Sequence, residues 1–358
     1  MESKWSLRFY KEGDEERIFE LWQAVYPQYN RTLEHWLRWW RWKYKENPAG
    51  TARIFLAEYE SKIVGQQSMV PMVMKIGAEV ATCFQWVDTV THPAYRRQGI
   101  SFALYTAGIH QVKEDVVRLV YGFPNEATHR IGLLVGAVDA ARIPYVFKPL
   151  DWGNALNTKI SNKSFLKFLA VGGKVVSETF RRPKEAPTVE GLTISNVSSF
   201  DERINILWEK VSGQYPMLVV RNEGYLNWRY VAVPDMNYTI YTAEKEGEIN
   251  GYLVLRCMEM NQIKVGAIFD ILAQQEEITQ CLISRAIDHC KQEGVDLLYG
   301  TMLASKTLLK ALRRNGFMCT PFVKGVWLQA FSISQDIPKE FLTNAKNWFV
   351  QKGDSDRL

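Results

Sequence analysis

The sequence predicts a mixed α/β protein made of two copies of one fold, and three observations carry that prediction. The first is an internal repeat. At an offset of 186 residues, Glu16, Arg17, Ile18, Leu21 and Trp22 reappear as Glu202, Arg203, Ile204, Leu207 and Trp208, and Trp42, Tyr44 and Pro48 as Trp228, Tyr230 and Pro234. Ala57, Glu58 and Gly65 return as Ala243, Glu244 and Gly251; the offset then shrinks to 182 for Asp88 and Asp270 and to 180 for Gly136 and Gly316, as small loop deletions would make it. The second is that strand-like and helix-like periodicities follow the same order in both copies. The third is size: 358 residues, 47% hydrophobic and 23% charged, suffice for two cores at about 150 residues per domain. That composition excludes disordered, collagen-like and low-complexity chains.

Each copy opens on a strand, Leu7–Tyr10 or Leu192–Ser195, and continues into a helix with apolar positions Ile18, Leu21, Trp22, Val25 or Ile204, Leu207, Trp208, Val211. A second, aromatic-rich helix ends near Pro48 or Pro234. A hairpin follows, Arg53–Glu60 turning at Ser61-Lys62 into Ile63–Lys75, with Tyr238–Ala243 and Tyr252–Cys257 as its counterpart. A longer strand runs to Thr91 or Leu272, then a helix, a short strand (Arg118–Tyr121 or Asp296–Tyr299) and another helix. Antiparallel strands followed by strand–helix–strand–helix give a mixed sheet with one parallel pair. The division read from this is a first domain at 1–158, a connector at 159–188, a second domain at 189–335 and a tail at 336–358.

The net charge of +5 is concentrated. Between Lys159 and Lys184, the seven basic residues Lys159, Lys163, Lys167, Lys174, Arg181, Arg182 and Lys184, against Glu178 alone, give +6, so the rest of the chain sums to −1. A nucleic-acid binder would spread basic residues over a folded face, so no nucleic acid is expected as a partner. Phe165, Leu166, Phe168 and Leu169 lie among those lysines; packing across two domains is favoured over lying on an anionic membrane. No run reaches the ~18–20 apolar residues of a membrane span, and Met1–Tyr10 shows no apolar leader. Cys83, Cys257, Cys281, Cys290 and Cys319 form no CxxC pair, so reduced thiols in a cytoplasmic protein are expected, and no metal.

After the strand Gln85–Val90 comes Thr91-His92-Pro93-Ala94-Tyr95-Arg96-Arg97-Gln98-Gly99-Ile100-Ser101, opening a helix. Backbone N–H groups of such a turn point outward at the positive end of a helix dipole; Gly99 permits close approach and Arg96 and Arg97 add positive charge, which suits a pyrophosphate. The second copy reads Ala273-Gln274-Gln275-Glu276-Glu277-Ile278 there, with carboxylates that would repel one. Cys281 matches Gly99 at the 182 offset.

These residues resemble the GNAT superfamily of acyl-CoA-dependent N-acyltransferases. Its signature Q/R-x-x-G-x-G/A finds Arg96, Gly99 and Ser101 at the marked positions, with Ser101 a small residue in place of Gly or Ala. Gly122-Phe123-Pro124-Asn125 and Gly136 extend the likeness, and the repeat extends it to both halves, two tandem GNAT-like domains. The resemblance implies an acetyl-CoA cosubstrate bound by Val87, Thr89, Val90, Arg96, Arg97, Gln98, Gly99, Ile100, Ser101 and Asn125, with pantetheine between two splayed strands. It implies acetyl transfer to an amine acceptor, an amino sugar or a small amine metabolite; oligomeric state is not fixed by the sequence, and a homo-oligomer is compatible with it.

The tyrosine that serves many such enzymes as general acid falls at Gly132, and at Leu312 in the copy. His129, Tyr121 and Asp88 are the candidate catalytic residues: His129 for its intrinsic pKa, Asp88 to orient an acceptor ammonium, with Glu126, His92 and Tyr145 nearby. Proximity alone is another route. Trp36 and Trp39 lack counterparts in the copy and are read as an aromatic wall for the acceptor, whereas Trp42 is read as core. Trp348 and Phe349 should dock, leaving an acidic end, and Leu358 could bring a terminal carboxylate to the site. The competing reading is a CoA-binding sensor without turnover; a transferase using charged tRNA is disfavoured by the pyrophosphate turn.

Overall fold

The computed structural model describes residues 5–28, 31–113, 117–151, 187–260, 263–303, 305–319 and 325–356. Residues 159–186 of the connector, with the packing expected for Phe165–Leu169, and Leu358 lie outside them. The described residues form two compact units, Met1–Ala141 with Ala232–Asp235 and Trp327–Ala345, and Arg142–Val231 with Met236–Val326 and Lys346–Leu358.

The first copy runs β1 (Ser6–Phe9), α1 (Glu15–Val25), α2 (Leu33–Tyr44), β2 (Arg53–Tyr59), β3 (Lys62–Ile76), β4 (Glu79–Thr91), α3 (Ile100–Val112), β5 (Leu119–Gly122), α4 (Glu126–Leu134), β6 (Val138–Ile143) and β7 (Tyr145–Pro149). The second runs β8 (Thr193–Val197), α5 (Arg203–Ser212), β9 (Met217–Val219), α6 (Glu223–Tyr230), β10 (Thr239–Lys245), β11 (Glu248–Met260), β12 (Ile263–Ala273), α7 (Glu276–Gln292), β13 (Leu297–Leu303), α8 (Lys306–Arg314), β14 (Met318–Cys319) and β15 (Val326–Ser332). A tail of α9 (Lys339–Thr343) and β16 (Val350–Gln351) follows.

The repeated residues have repeated tasks. Glu60 and Ser61, at φ 46° and 64°, turn β2 into β3, and Glu246 and Gly247, at 53° and 80°, turn β10 into β11. Both are two-residue turns with positive φ, which match the strands' twist. Arg17 on α1 pairs with Glu58 and donates to the Ser61 carbonyl of that turn; Arg203 on α5 pairs with Glu244 at 2.9 Å and donates to Gly247 O at 3.1 Å. Gly65 lets α3 press on β3, since a Cβ there would meet Ile100 and Leu104; Gly251 does the same for Ile278 and Leu282 of α7. Helix N-termini are capped by short polar side chains, Thr32 for α2, Asn125 for α4, Asn222 for α6 and Ser305 for α8, each satisfying an N–H that the helix leaves orphaned.

The sheet of the first unit is ordered β1-β2-β3-β4-β5-β15-β6, and that of the second β14-β7-β13-β12-β11-β10-β8. Each last strand is therefore found in the other copy's sheet: β15 pairs with β5 from Ser332↔Leu119 to Gln329↔Gly122, and β7 with β13 from Pro149↔Leu297 to Tyr145↔Thr301. In the first unit, α3 packs Leu104, Tyr105 and Ile109 with Phe55, Trp86 and Val120 on one face, and α1 and α2 pack Ile18, Leu21, Trp36 and Trp40 with Leu56 and Val87 on the other.

Candidate active site

The parallel pair of the first unit is short. β4 and β5 pair at Phe84↔Val120, Gln85↔Tyr121 and Trp86↔Gly122; beyond that, among the described residues, Val87–Thr91 has β3 alone as strand partner. The register of β3 with β4 slips between Gln66 and Ser68, where Asp88 sits at φ 51°, a bulge that turns the strand's backbone at the mouth of the gap. Val87 and Val90 are buried in the core beneath it, while Asp88 and Thr89 are half-buried.

The sequence after β4 makes the expected open turn. His92 caps a single 3₁₀ turn at Pro93–Tyr95, its Nδ1 accepting from Ala94 N at 3.2 Å. Arg97 follows at φ 63° and Gly99 at φ 79°, the latter as N-cap of α3 without a side-chain cap. Arg96, Arg97, Gln98 and Gly99 are exposed, and a Cβ at Gly99 would have nothing within 4 Å. Ile100 faces the core, and Ser101 Oγ lies 2.8 Å from Thr91 Oγ1, tying the helix start to the strand end. The free N–H groups of the first helical turn thus open beside two arginines and beside the gap.

The second copy passes from β12 to α7 through Gln274-Gln275 alone. Glu276 occupies the first helical position, held by Lys310 Nζ at 2.8 Å and Arg314 Nη1 at 2.5 Å. The structural match of Gly99 is therefore Gln275, the N-cap of α7, whereas Cys281 lies inside that helix with its Sγ 3.1 Å from Pro187 O. The 182 offset fails there because the turn itself has been deleted.

The other candidates are placed as follows. Asp88 receives Lys43 Nζ at 2.6 Å and the Tyr44 hydroxyl; Tyr44 continues to Gln66, which joins Ser68 and Trp22. In the copy, Tyr230 OH stands 3.1 Å from Asp270, which is buried and receives Arg221. Burial pushes the Asp270 carboxyl above its ordinary value even with Arg221 upon it. Asn125 uses its Oδ1 to accept from Ala127 N and Thr128 N, both at 3.0 Å. Tyr121 is 1% exposed and packs edge-on to Phe123. Trp36 is 5% exposed, stacked on Trp40 at 4.9 Å, which places its ring in the core rather than on an open wall; Trp39 is half-buried, with Arg31 over its ring at 4.9 Å.

His129 is not a solvated helix-surface residue. Its Nε2 lies 2.8 Å from Asp139 Oδ1 on β6, and its ring stacks at 4.2 Å on Trp327 of β15. Gln329, also on β15, donates to His129 O and Asp139 Oδ1, both at 3.1 Å. The same Gln329 explains Gly132: a Cβ there would run into its Oε1. Asp139, Trp327 and Gln329 were missed by sequence reasoning, because nothing in a linear pattern brings residues 129 and 329 together. The signal available was the glycine itself, small where a large side chain is usual.

Comparison with known proteins bears on this geometry. Residues 6–131 match the family model described as the acetyltransferase (GNAT) domain. The first copy is thus similar to a GNAT domain. Its fold recurs in solved structures, each covering 92% of this chain: a GCN5-related N-acetyltransferase from Anabaena variabilis (TM-score 0.63, 13% identity, 73% of that chain covered), a conserved protein of unknown function from Enterococcus faecalis (0.64, 13%, 73%) and N-myristoyltransferase of Saccharomyces cerevisiae with bound myristoyl-CoA (0.57, 10%, 79%). At these identities the likeness is one of fold, and it runs over both GNAT-like copies. No curated protein matches the sequence. Acyl transfer is the activity that the GNAT domain supports. Among the described residues no helix is long and apolar enough to cross a membrane, and no group of three or more His, Cys, Asp or Glu could hold a metal.

Proposed function

We propose that the first GNAT-like domain transfers an acetyl group from acetyl-CoA to the nitrogen of an amine, an amino sugar or a small amine metabolite. One observation carries the reading: an exposed turn with two left-handed residues, two arginines and an uncapped helix N-terminus opens directly beside the gap between β4 and β5. In this reading the pyrophosphate lies on the amides of residues 97–101, and pantetheine runs along Val87–Thr91. The thioester carbonyl meets the backbone at the Asp88 bulge. Asp88, anchored by Lys43 and Tyr44, orients the acceptor's ammonium by its charge. His129, fixed by Asp139, is the imidazole assigned to carry the proton released as the amide forms and the thiolate departs. Five cysteines, none joined in a disulfide, suit a cytoplasmic protein.

Gly132 favours a second reading, a CoA-binding sensor, because Gln329 fills the place of the usual acid. Incubation of the chain with acetyl-CoA and a panel of primary amines, followed by thiol release, separates the two. Turnover with any amine supports the transferase. Tight CoA binding without thiol release across the panel would replace it with the sensor.

A further inference from the structure

The second unit has the same gap as the first, and it is filled. β12 and β13 pair in parallel only from Val265↔Leu297 to Ala267↔Tyr299 and then part. Residues 348–354 run into the opening. Phe349 N donates to Met217 O at 2.8 Å, and Trp348 and Phe349 are buried. β16 then pairs antiparallel with β13, at Leu303↔Val350 and Met302↔Gln351. The Gln351 carboxamide serves the opposite edge: its Oε1 accepts from Ile271 N at 3.0 Å, and its Nε2 donates to Ile271 O and Asp270 Oδ1, each at 2.8 Å. The segment's backbone thus satisfies one strand and its side chain the other.

The fit continues beyond Gln351. Gly353 has no room for a Cβ, which would strike the Tyr230 hydroxyl and stand 3.0 Å from Phe269 O, and its own carbonyl accepts from Arg229 Nε at 2.8 Å. Asp354 is 3% exposed rather than part of a free acidic end; its Oδ2 accepts from Arg221 Nη2 and Gln351 N, both at 2.8 Å. Arg221, fully buried, spans Asp354 and both oxygens of Asp270 at 3.1 Å. At the far end of the gap, Glu276 holds the helix start that would face a phosphate.

We propose that the second cleft is a peptide-binding site whose ligand is this chain's own segment Trp348–Asp354, bound where the first copy takes the pantetheine of acyl-CoA. Ile271, which shares the 182 offset with Thr89, meets the Gln351 carboxamide where Thr89 would meet an amide of pantetheine; the comparison with pantetheine rests on the acyl-CoA reading of the first copy, whereas the peptide site rests on the contacts above. The specificity is for a short strand ending in Gln and followed by a single 3₁₀ turn, which presents Gly and Asp two and three residues later. A bulkier residue cannot replace Gly353, and the buried guanidinium requires the carboxylate.

The test uses the full chain. Hydrogen exchange at the Ile271 amide should quicken at least ~10-fold in Gln351→Ala and in Gly353→Val, at unchanged far-UV circular dichroism. In a second arm, a protease site introduced at the exposed Asn344 lets the folded chain be nicked and challenged with a labelled synthetic peptide of residues 345–356. The native peptide should incorporate, and the same peptide bearing Gly353→Val or Asp354→Ala should compete at least ~10-fold less well. Native-like exchange at Ile271 in either folded variant, or equal competition by the altered peptides, would overturn the proposal. Acetyl-CoA titration does not enter either arm, so failure of the first-copy reading leaves this result legible.

Discussion

At Gly99 the backbone conformation and the proposed contact make separate demands. A φ of 79° strains any L side chain, while the space around its absent Cβ is open. Gly99→Val should therefore lower the melting temperature through strain and also weaken acetyl-CoA binding by at least ~10-fold, about 1.4 kcal/mol, through collision with the pyrophosphate. Gly77, at φ 63° in the β3–β4 turn and equally open, supplies the strain without the site. Its valine variant should melt lower and bind acetyl-CoA normally, and equal loss of affinity in both would reduce the motif to a turn. Gln275 is the control for the copy, not Cys281, since Gln275 caps the corresponding helix. Gly132 makes the opposite case, a residue defined by what presses on it. Gly132→Tyr, which would restore the superfamily's usual acid, must displace Gln329 from His129 and Asp139. It should cost about 1–3 kcal/mol of stability, as overpacked cores do, and give no gain in thiol release. Thermal melts and the amine panel check both halves of that expectation.

Elements were legible where a local rule fixed them. The hairpin turns, the first helix of each copy and the long strand after the hairpin follow from periodicity and from turn residues, so the repeat read in letters is a repeat in structure. The helix after β12 was mismatched because a fixed offset cannot register a deleted loop. The turn after β4 also carries a titrating cap. Burial, followed by the charges of Lys62 and Arg96, holds the His92 imidazole below its ordinary value, and its Nδ1 must be unprotonated to accept from Ala94 N. A group whose folded pKa is depressed contributes stability that is present above its unfolded value, about 6.5 for histidine, and is lost as pH falls through the folded one. Between pH 7.5 and pH 5 the native chain should lose more melting temperature than His92→Asn, whose amide oxygen accepts without titrating. Parallel losses in the two proteins would remove His92 from the account.

The molecule as a whole departs from the sequence reading in where its last strands lie. β7 and β15 look alike as the closing strand of a copy, and no pattern along the chain says which sheet takes them. The reason for the first exchange is local all the same. Only Pro144 separates β6 from β7, whereas a hairpin needs about two residues of turn, and proline lacks the N–H that a ladder requires. β7 therefore cannot fold back beside β6, and the place between β5 and β6 is left for β15. Residues 1–151 expressed alone should expose an unpaired edge on β5, whose Leu119, Val120 and Tyr121 are buried in the intact chain. Such an edge pairs with another chain, so that half should emerge as a dimer or aggregate by light scattering. Co-expression of 1–188 with 189–358 should instead give a soluble one-to-one complex. Replacing Pro144 by Gly-Asn-Gly-Ser should let β7 return to β5 and convert the isolated half to a monomer with a cooperative melt. If the unaltered half is already monomeric and melts cooperatively, β15 is dispensable to the first sheet and the single-residue link is not what sends β7 away.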